Sequence, residues 1–417
     1  MLGSALIHSW RTAGLRKRLW LGGIALSLLL ATSAITNQLL PASKSVSIQA
    51  TGHDFLAFYT AGTFARTGRT SDLYNLDALR QFQQALAQAQ GIQGLGNRVA
   101  PWWNPPFYAW VFAPLSLLPY PTAILIWRLV NLAACVLAAV LLTRMLPRDG
   151  RTWPLVLLLV VVSMPSLYAL THAQNSGMSL LIVTAAVVAW RKRRGVLAGA
   201  ILGLLFYKPQ LAMVLAVVLV MDLRLPALGG LAITACLLAG ATALQPGALA
   251  DFLHTLPINL DIIQAQQPYP WDRHVTFRAF WRLLLQGKQA GPISTATTVL
   301  ATLCIAALGA GLLTRILAHL RLRGPADPVI SATILAAPLL MPFYFDYDLL
   351  LLAVPAVLLA SELSPDRWLV RTWIGLYAVL FVNPMVGSLI RVNLAVVLLA
   401  MLAVMHARGL LWRRHEA

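Results

Sequence analysis

The chain has 417 residues, 59% of them hydrophobic and only 11% charged, with a mean hydropathy of +0.73. A soluble domain carries about a quarter charged residues, so a soluble fold is excluded and an integral membrane protein is expected. The formal net charge of +18 would suit a polyanion, but the basic residues gather in short loops between apolar runs. That is the pattern of cytoplasmic membrane loops, and no nucleic-acid partner is expected.

In chain order, residues 1–18 carry Arg11, Arg16, Lys17 and Arg18 ahead of an apolar run at 19–36. A signal peptide shares this shape. An uncleaved anchor is favoured because Asn37–Pro41 offers a poor small-residue cleavage site. A long polar stretch follows at 41–103. It contains HDFLAFYTAGTFARTGRTSDLY at 53–74, mostly apolar and aromatic with Asp54 at its leading end, then a Gln/Ala-rich amphipathic piece at 76–90. Next comes WWNPPFYAWVFAPLSLLP at 102–119, punctuated by Pro105, Pro106, Pro114 and Pro119. Its apolar part makes roughly 22 Å of helix, short of the roughly 30 Å hydrocarbon core.

Further spans are expected at 121–145, 153–170, 175–190, 195–208, 211–223, 227–244, 294–317, 328–342, 348–361, 368–384 and 388–407. If 102–119 dips into the membrane and returns, twenty of the 32 Lys and Arg fall in cytoplasmic loops, the Arg191-Lys192-Arg193-Arg194 cluster among them. If it crosses, every later loop changes side and that cluster faces outward. Charge bias in short loops sets orientation, so the re-entrant reading is preferred. It gives twelve full spans with both termini inside, in a single domain over 1–417.

Under this topology the awkward polar residues share the outer face: Asp54, Asn104, His172-Ala173-Gln174-Asn175, Lys208 and Asp346-Tyr347-Asp348. The long outer loop at 246–292 adds Asp251, His254, Asp261, Asp272, Arg273, His274, Arg278 and Arg282. Ionisable groups at membrane depth are costly and mark a pathway or a site. Their convergence suits chemistry at the outer interface on a substrate presented from the lipid.

Other features have plainer readings. Cys135, Cys236 and Cys304 fall within apolar runs and read as small hydrophobes. Gly195, Gly199 and Gly203 recur every four residues, the mark of close helix packing. Trp102, Trp103, Trp271, Trp281 and Trp368 fit an interfacial aromatic belt, with sugar stacking by Trp102-Trp103 and the PYPWDRH run as the alternative. His53, His172, His254 and His274 show no metal-ligand spacing, and no metal or other cofactor is expected.

The runs HDFLAFYTAGTFARTGRTSDLYN, WWNPPFYAWVFAPLSLLP, HAQNSGMSLLIV and AGAILGLLFYKPQLA together resemble the glycosyltransferase family 87 pattern within the GT-C fold. The resemblance covers about residues 50–215. It implies an all-α polytopic membrane protein, here a bundle of about twelve transmembrane helices with a re-entrant segment and outer-face interfacial helices. It also implies a polyprenyl-phosphate-linked sugar donor, a lipid or glycan acceptor, and a site facing the exterior of a bacterial cytoplasmic membrane. The best known members of the family are mannosyltransferases acting on lipoglycans. GT-C enzymes keep an essential acidic residue in the first outer loop, which maps onto Asp54 as general base. A carboxylate is the usual acceptor of an attacking hydroxyl's proton. The bland alternative is that Asp54 caps a helix starting at Phe55.

Lys208, in the FYKPQ run, matches the family motif and is expected on the donor phosphate; a snorkelling helix-end lysine is the alternative. Gln174 and Asn175 could bond sugar hydroxyls or phosphate, or simply form a turn. Asn104 shapes the re-entrant segment or touches substrate, and His53 and Tyr59 join the substrate-binding candidates. Arg128 and Arg391 sit inside expected spans and need partners there, either a phosphate or a carboxylate such as Asp346 or Asp348. Asp346 and Asp348 themselves read first as helix caps. A transporter or lipid flippase is the competing class. It should show inverted repeats and ionisable groups at mid-membrane, whereas here a single short segment and a one-sided polar set stand out.

Overall fold

Backbone polar groups in lipid must be satisfied within the chain, which favours helices. The computed structural model describes residues 52–90, 95, 99–146, 153–266, 269–360 and 367–407. The expected anchor at 19–36 lies outside the described residues. The fold is 81% helix with 16 helices and no strands among the described residues. A single isolated bridge pairs His274 with Phe345.

The first helix, α1 (His53–Arg66), is followed by the amphipathic α2 (Leu76–Gln90). The expected re-entrant stretch makes only short turns, its longest α-helical piece being the four residues of α3 (Ala109–Phe112), so it forms no crossing helix. Proline removes donors and breaks helical runs, which accounts for the fragmentation. The segment lies against α1: Phe58 stacks on Phe112 at 4.7 Å and 12°, and a Cβ on Gly62 would strike the Phe112 carbonyl.

Then come α4 (Tyr120–Thr143), α5 (Trp153–Val161), α6 (Met164–Thr171) and α7 (Ser176–Arg191). The expected span at 153–170 is thus divided. Ser163 caps α6, its hydroxyl accepting from the Ser166 N–H, and Pro165 sits in that helix's first turn, a start signal that ends the preceding helix. The chain continues through α8 (Gly195–Gly203) to α9 (Pro209–Ala243). Arg224 interrupts α9 with φ 57° and ψ −143°, making two arms that match the two expected spans. Gly195, Gly199 and Gly203 face Pro226, Ala227 and Thr234 in rising order, so α8 and the second arm run parallel in close contact.

The remainder comprises α10 (Ala248–Ala265), α11 (Phe277–Gln286), α12 (Thr295–Leu322), α13 (Asp327–Leu340), a 3-10 stretch at Asp346–Leu352, α14 (Ala353–Ala360), α15 (Arg367–Ile390) and α16 (Leu394–Ala407). By length and composition α4, α9 and α12 can each cross a membrane. α13 is buried from Asp327 through Leu339 and forms the centre of the bundle.

Trp102 and Trp271 are only 1% and 2% exposed, so neither joins a belt nor faces a sugar; both are core. Trp368 is 68% exposed. Cys135 is buried, Cys304 half-buried and Cys236 exposed, all as free thiols.

The charged groups sort to two ends of the same helices. At one end Asp222 accepts from Trp190 and Arg193 and pairs with His319, while Arg191 pairs with Asp327. At the other end of α7, about 24 Å away at 1.5 Å per residue, lies the cluster around Gln174.

Candidate active site

The site is built on the turn between α6 and α7, residues 172–175. Ala173 adopts the left-handed region at φ 53°, an uncommon conformation for a residue with a Cβ, held only where surroundings dictate it. Here they do. The Gly52 N–H donates to the Thr171 carbonyl at 2.8 Å, Trp127 Nε1 donates to the Ala173 carbonyl at 2.9 Å, and the Gln174 N–H donates to the Ala169 carbonyl at 2.7 Å. Arg128 Nε donates to the Leu170 carbonyl at 3.1 Å. The base of α7 is fixed to α4 by Gly177, where a Cβ would strike the Asn131 carbonyl.

This turn aims Gln174 at the first turn of α1. Gln174 Nε2 donates to Asp54 Oδ2 at 2.7 Å. The helix begins at His53 with Gly52 as its cap and has no side-chain capping bond, so Asp54 does not cap it. It sits instead in the first turn, where the helix dipole favours a negative charge. Its side chain is 35% exposed, the more open member of the group, and His172 Nδ1 stands 3.7 Å from the same Oδ2.

On the far side of Gln174 lies Lys208, at the break between the 3-10 turn Leu204–Tyr207 and α9. Its ammonium donates to Gln174 Oε1 at 3.4 Å and to Asp348 Oδ1 and Oδ2 at 2.9 and 3.2 Å. Lysine has three N–H donors and no acceptor; at these distances one N–H spans both Asp348 oxygens and a second meets Gln174, and because Lys208 is buried the snorkelling reading does not hold. Asp348, 2% exposed, also accepts from Ser176 Oγ at 2.9 Å. Asp54, Gln174, Lys208 and Asp348 therefore form one continuous polar chain drawn from four segments.

A second ion pair flanks it. Arg273 binds Asp346 in bidentate fashion, Nε to Oδ2 at 3.0 Å and Nη2 to Oδ1 at 2.9 Å. Asp346 and Asp348 thus serve as ion-pair partners rather than helix caps. Burial opposes the Arg273 charge, but the Asp346 carboxylate more than offsets it and holds the guanidinium above its ordinary value, with Asp54 adding to the effect. The guanidinium lies over Tyr168 at 5.1 Å and near Phe345 and Tyr347, both at 5.8 Å. It keeps three further N–H groups beyond those given to Asp346. The neighbouring His274 is driven down to about 3, first by burial and then by Arg273 and Arg278. Its Nε2 meets the Tyr269 hydroxyl at 2.8 Å while Nδ1 has no partner among the described residues.

The other sequence candidates fall around this centre or away from it. Asn175 is fully buried and donates to the Tyr108 hydroxyl at 3.0 Å, with Tyr108 stacked on Tyr207 at 4.4 Å. Asn104 is buried, its carbonyl accepting from the Tyr74 hydroxyl at 2.8 Å. The Tyr59 hydroxyl donates to the Leu118 carbonyl at 2.8 Å and so anchors the 102–119 segment to α1. His53 opens α1, and its side chain lies outside what is described. Arg128 is inside α4 as expected, but its partners are the last carbonyls of α6 rather than a carboxylate.

Arg391 is not inside a span. It lies exposed with φ 57° in the turn between α15 and α16, against Gly287, and no hydrogen bond or ion pair joins it to the Asp54 cluster among the described residues. Arg273 and Asp348 enter as the residues that sequence reasoning underweighted. Their signal was present in the PYPWDRH run and the Asp-Tyr-Asp turn, but the pairing of positions 73 and 140 residues apart leaves no local trace.

No group of three His, Cys, Asp or Glu side chains is arranged to hold a metal among the described residues. The cluster offers a reachable carboxylate with one oxygen engaged, beside an arginine with donors to spare. Such a pair can accept a proton from a hydroxyl and hold a departing anion. Residues 102–342 match the model of a family described as Glycosyltransferase family 87. No curated protein and no solved structure matches the chain.

Proposed function

The chain belongs to glycosyltransferase family 87 and is a membrane glycosyltransferase, and from that premise we propose that it takes its sugar from a polyprenyl-phosphate donor. The sugar is mannose or another hexose or pentose, and the acceptor is a lipid or glycan at the outer face of a bacterial cytoplasmic membrane. In this reading the chain crosses twelve times, with the 102–119 segment re-entrant and both termini inside.

The observation that carries the reading is the engagement of Asp54. Gln174 holds Oδ2, and the carboxylate remains a third exposed, which leaves Oδ1 for an acceptor hydroxyl. That oxygen takes the hydroxyl proton as the acceptor oxygen attacks the anomeric carbon. The bond from that carbon to the phosphate oxygen breaks, and polyprenyl phosphate leaves with the electron pair. A single displacement of this kind inverts the anomeric centre. The leaving group is already good, so positioning and electrostatics supply most of the rate.

Lys208 contributes its field from behind Gln174. Arg273, whose remaining N–H groups suit phosphate geometry, joins it on the donor phosphate. The test is a transfer assay with purified protein in lipid, offering the same sugar either on a polyprenyl phosphate or on a nucleotide. Transfer from the polyprenyl donor alone is expected. Transfer from the nucleotide sugar, with none from the lipid-linked one, would overturn the donor assignment.

A further inference from the structure

An amide side chain caught between two charged groups has its orientation chosen for it. Lysine only donates and an ionised carboxylate only accepts. Gln174 lies between one of each, with Oε1 3.4 Å from Lys208 Nζ and Nε2 2.7 Å from Asp54 Oδ2. Reversing the amide would set its NH2 against the ammonium and its oxygen against the carboxylate, so one orientation is imposed. Lys208 is itself held by both oxygens of Asp348, and Asp348 by Ser176. By sequence alone Gln174 reads as a sugar or phosphate contact or a turn residue, and Asp348 as a helix cap.

We infer that Gln174 and Asp348 are positioning residues. Asp348 fixes Lys208, Lys208 fixes the Gln174 amide, and that amide holds Oδ2 of Asp54 so that Oδ1 is the atom receiving the acceptor proton. The inference rests on the assignment of Asp54 as base.

A structural or sugar-binding Gln174 would change rates or donor affinity. Removing a donor from a carboxylate disfavours its charged form, so losing a positioning Gln174 should also displace the pH profile of transfer. The other ionisable groups facing Asp54 belong to other elements: His172 in the turn after α6, Tyr120 on α4, Arg273 in the long loop, and Tyr347 in the 3-10 stretch. All are unchanged in a Gln174 variant, so a displaced pH profile reports on the amide.

The experiment is the pH dependence of kcat/KM for sugar transfer by the full chain in lipid, for wild type, Gln174→Met and Gln174→Glu. Met keeps the length and removes the hydrogen bond. The activity loss on the acid side should move up by about one pH unit, the size of one hydrogen bond to a charged group, while donor KM changes by less than about threefold. Glu places a second carboxylate beside Asp54 and should move the limb at least as far in the same direction. It gives the same readout should the Met variant fail to fold.

An acid limb that stays at the wild-type pH in either folded variant overturns the inference, whether kcat falls or donor KM rises. A fall in kcat marks the residue as structural, and a rise in donor KM marks it as a sugar contact. If Asp54→Asn retains wild-type activity, the base assignment itself has failed, an outcome separable from a fixed limb in an enzyme that still needs Asp54.

Discussion

At the residue scale, burial turns each charge at the site into an obligation. Lys208 and Asp348 are 6% and 2% exposed, and removing one member of a buried pair leaves the other uncompensated at a cost of about 3–5 kcal/mol. Lys208→Met should therefore lower the melting temperature markedly in detergent or lipid, and adding Asp348→Leu to it should recover most of the loss. A double variant no more stable than Lys208→Met would show that the pair does not bear on stability. Asp54, Gln174 and Lys208 were legible in the sequence because each is a polar residue where an apolar chain has little use for one. The pairing of Lys208 with Asp348 was not legible, since the carboxylate lies 140 positions away.

At the element scale, local chemistry foretold more of the fold than did span counting. The prolines of 102–119 and the glycines of α8 each pointed to the structure found, a broken segment and a tight helix contact. Span lengths alone missed the break before Pro165 and misplaced Arg391, where a left-handed residue ends α15. The strap at 269–276 was hidden for another reason. It is held by the Val275 N–H on the Tyr344 carbonyl and by Asn393 on the His274 carbonyl, contacts from distant parts of the chain.

His274 in that strap makes folding pH-dependent. Its value falls from 6.5 to about 3 on burial. Between those limits the unfolded chain binds a proton that the folded one does not, so stability is full above 6.5 and declines as pH drops. By pH 5 the loss attributable to His274 is about 2 kcal/mol. Thermal unfolding at pH 7.5 and pH 5 should show a smaller acid-induced drop in His274→Gln than in wild type. Equal drops would mean that His274 is not held neutral.

At the scale of the whole molecule, the two charged ends organise everything else. One gathers Arg191, Arg193, Asp222, His319 and Asp327, the other Asp54, Lys208, Arg273, Asp346 and Asp348, with the buried α13 running between them. Charge bias in the sequence anticipated this separation, because the insertion rule that sorts basic loops acts on local composition. The meeting of four segments in one polar chain follows from packing, which composition does not encode. The account depends most on Asp54 taking the acceptor proton. The direct measurement is sugar transfer from a polyprenyl-phosphate donor by wild type and by Asp54→Asn, which keeps the shape and removes the base. The account predicts a fall of at least about 100-fold in kcat with the variant still folded; transfer at the wild-type rate would contradict it.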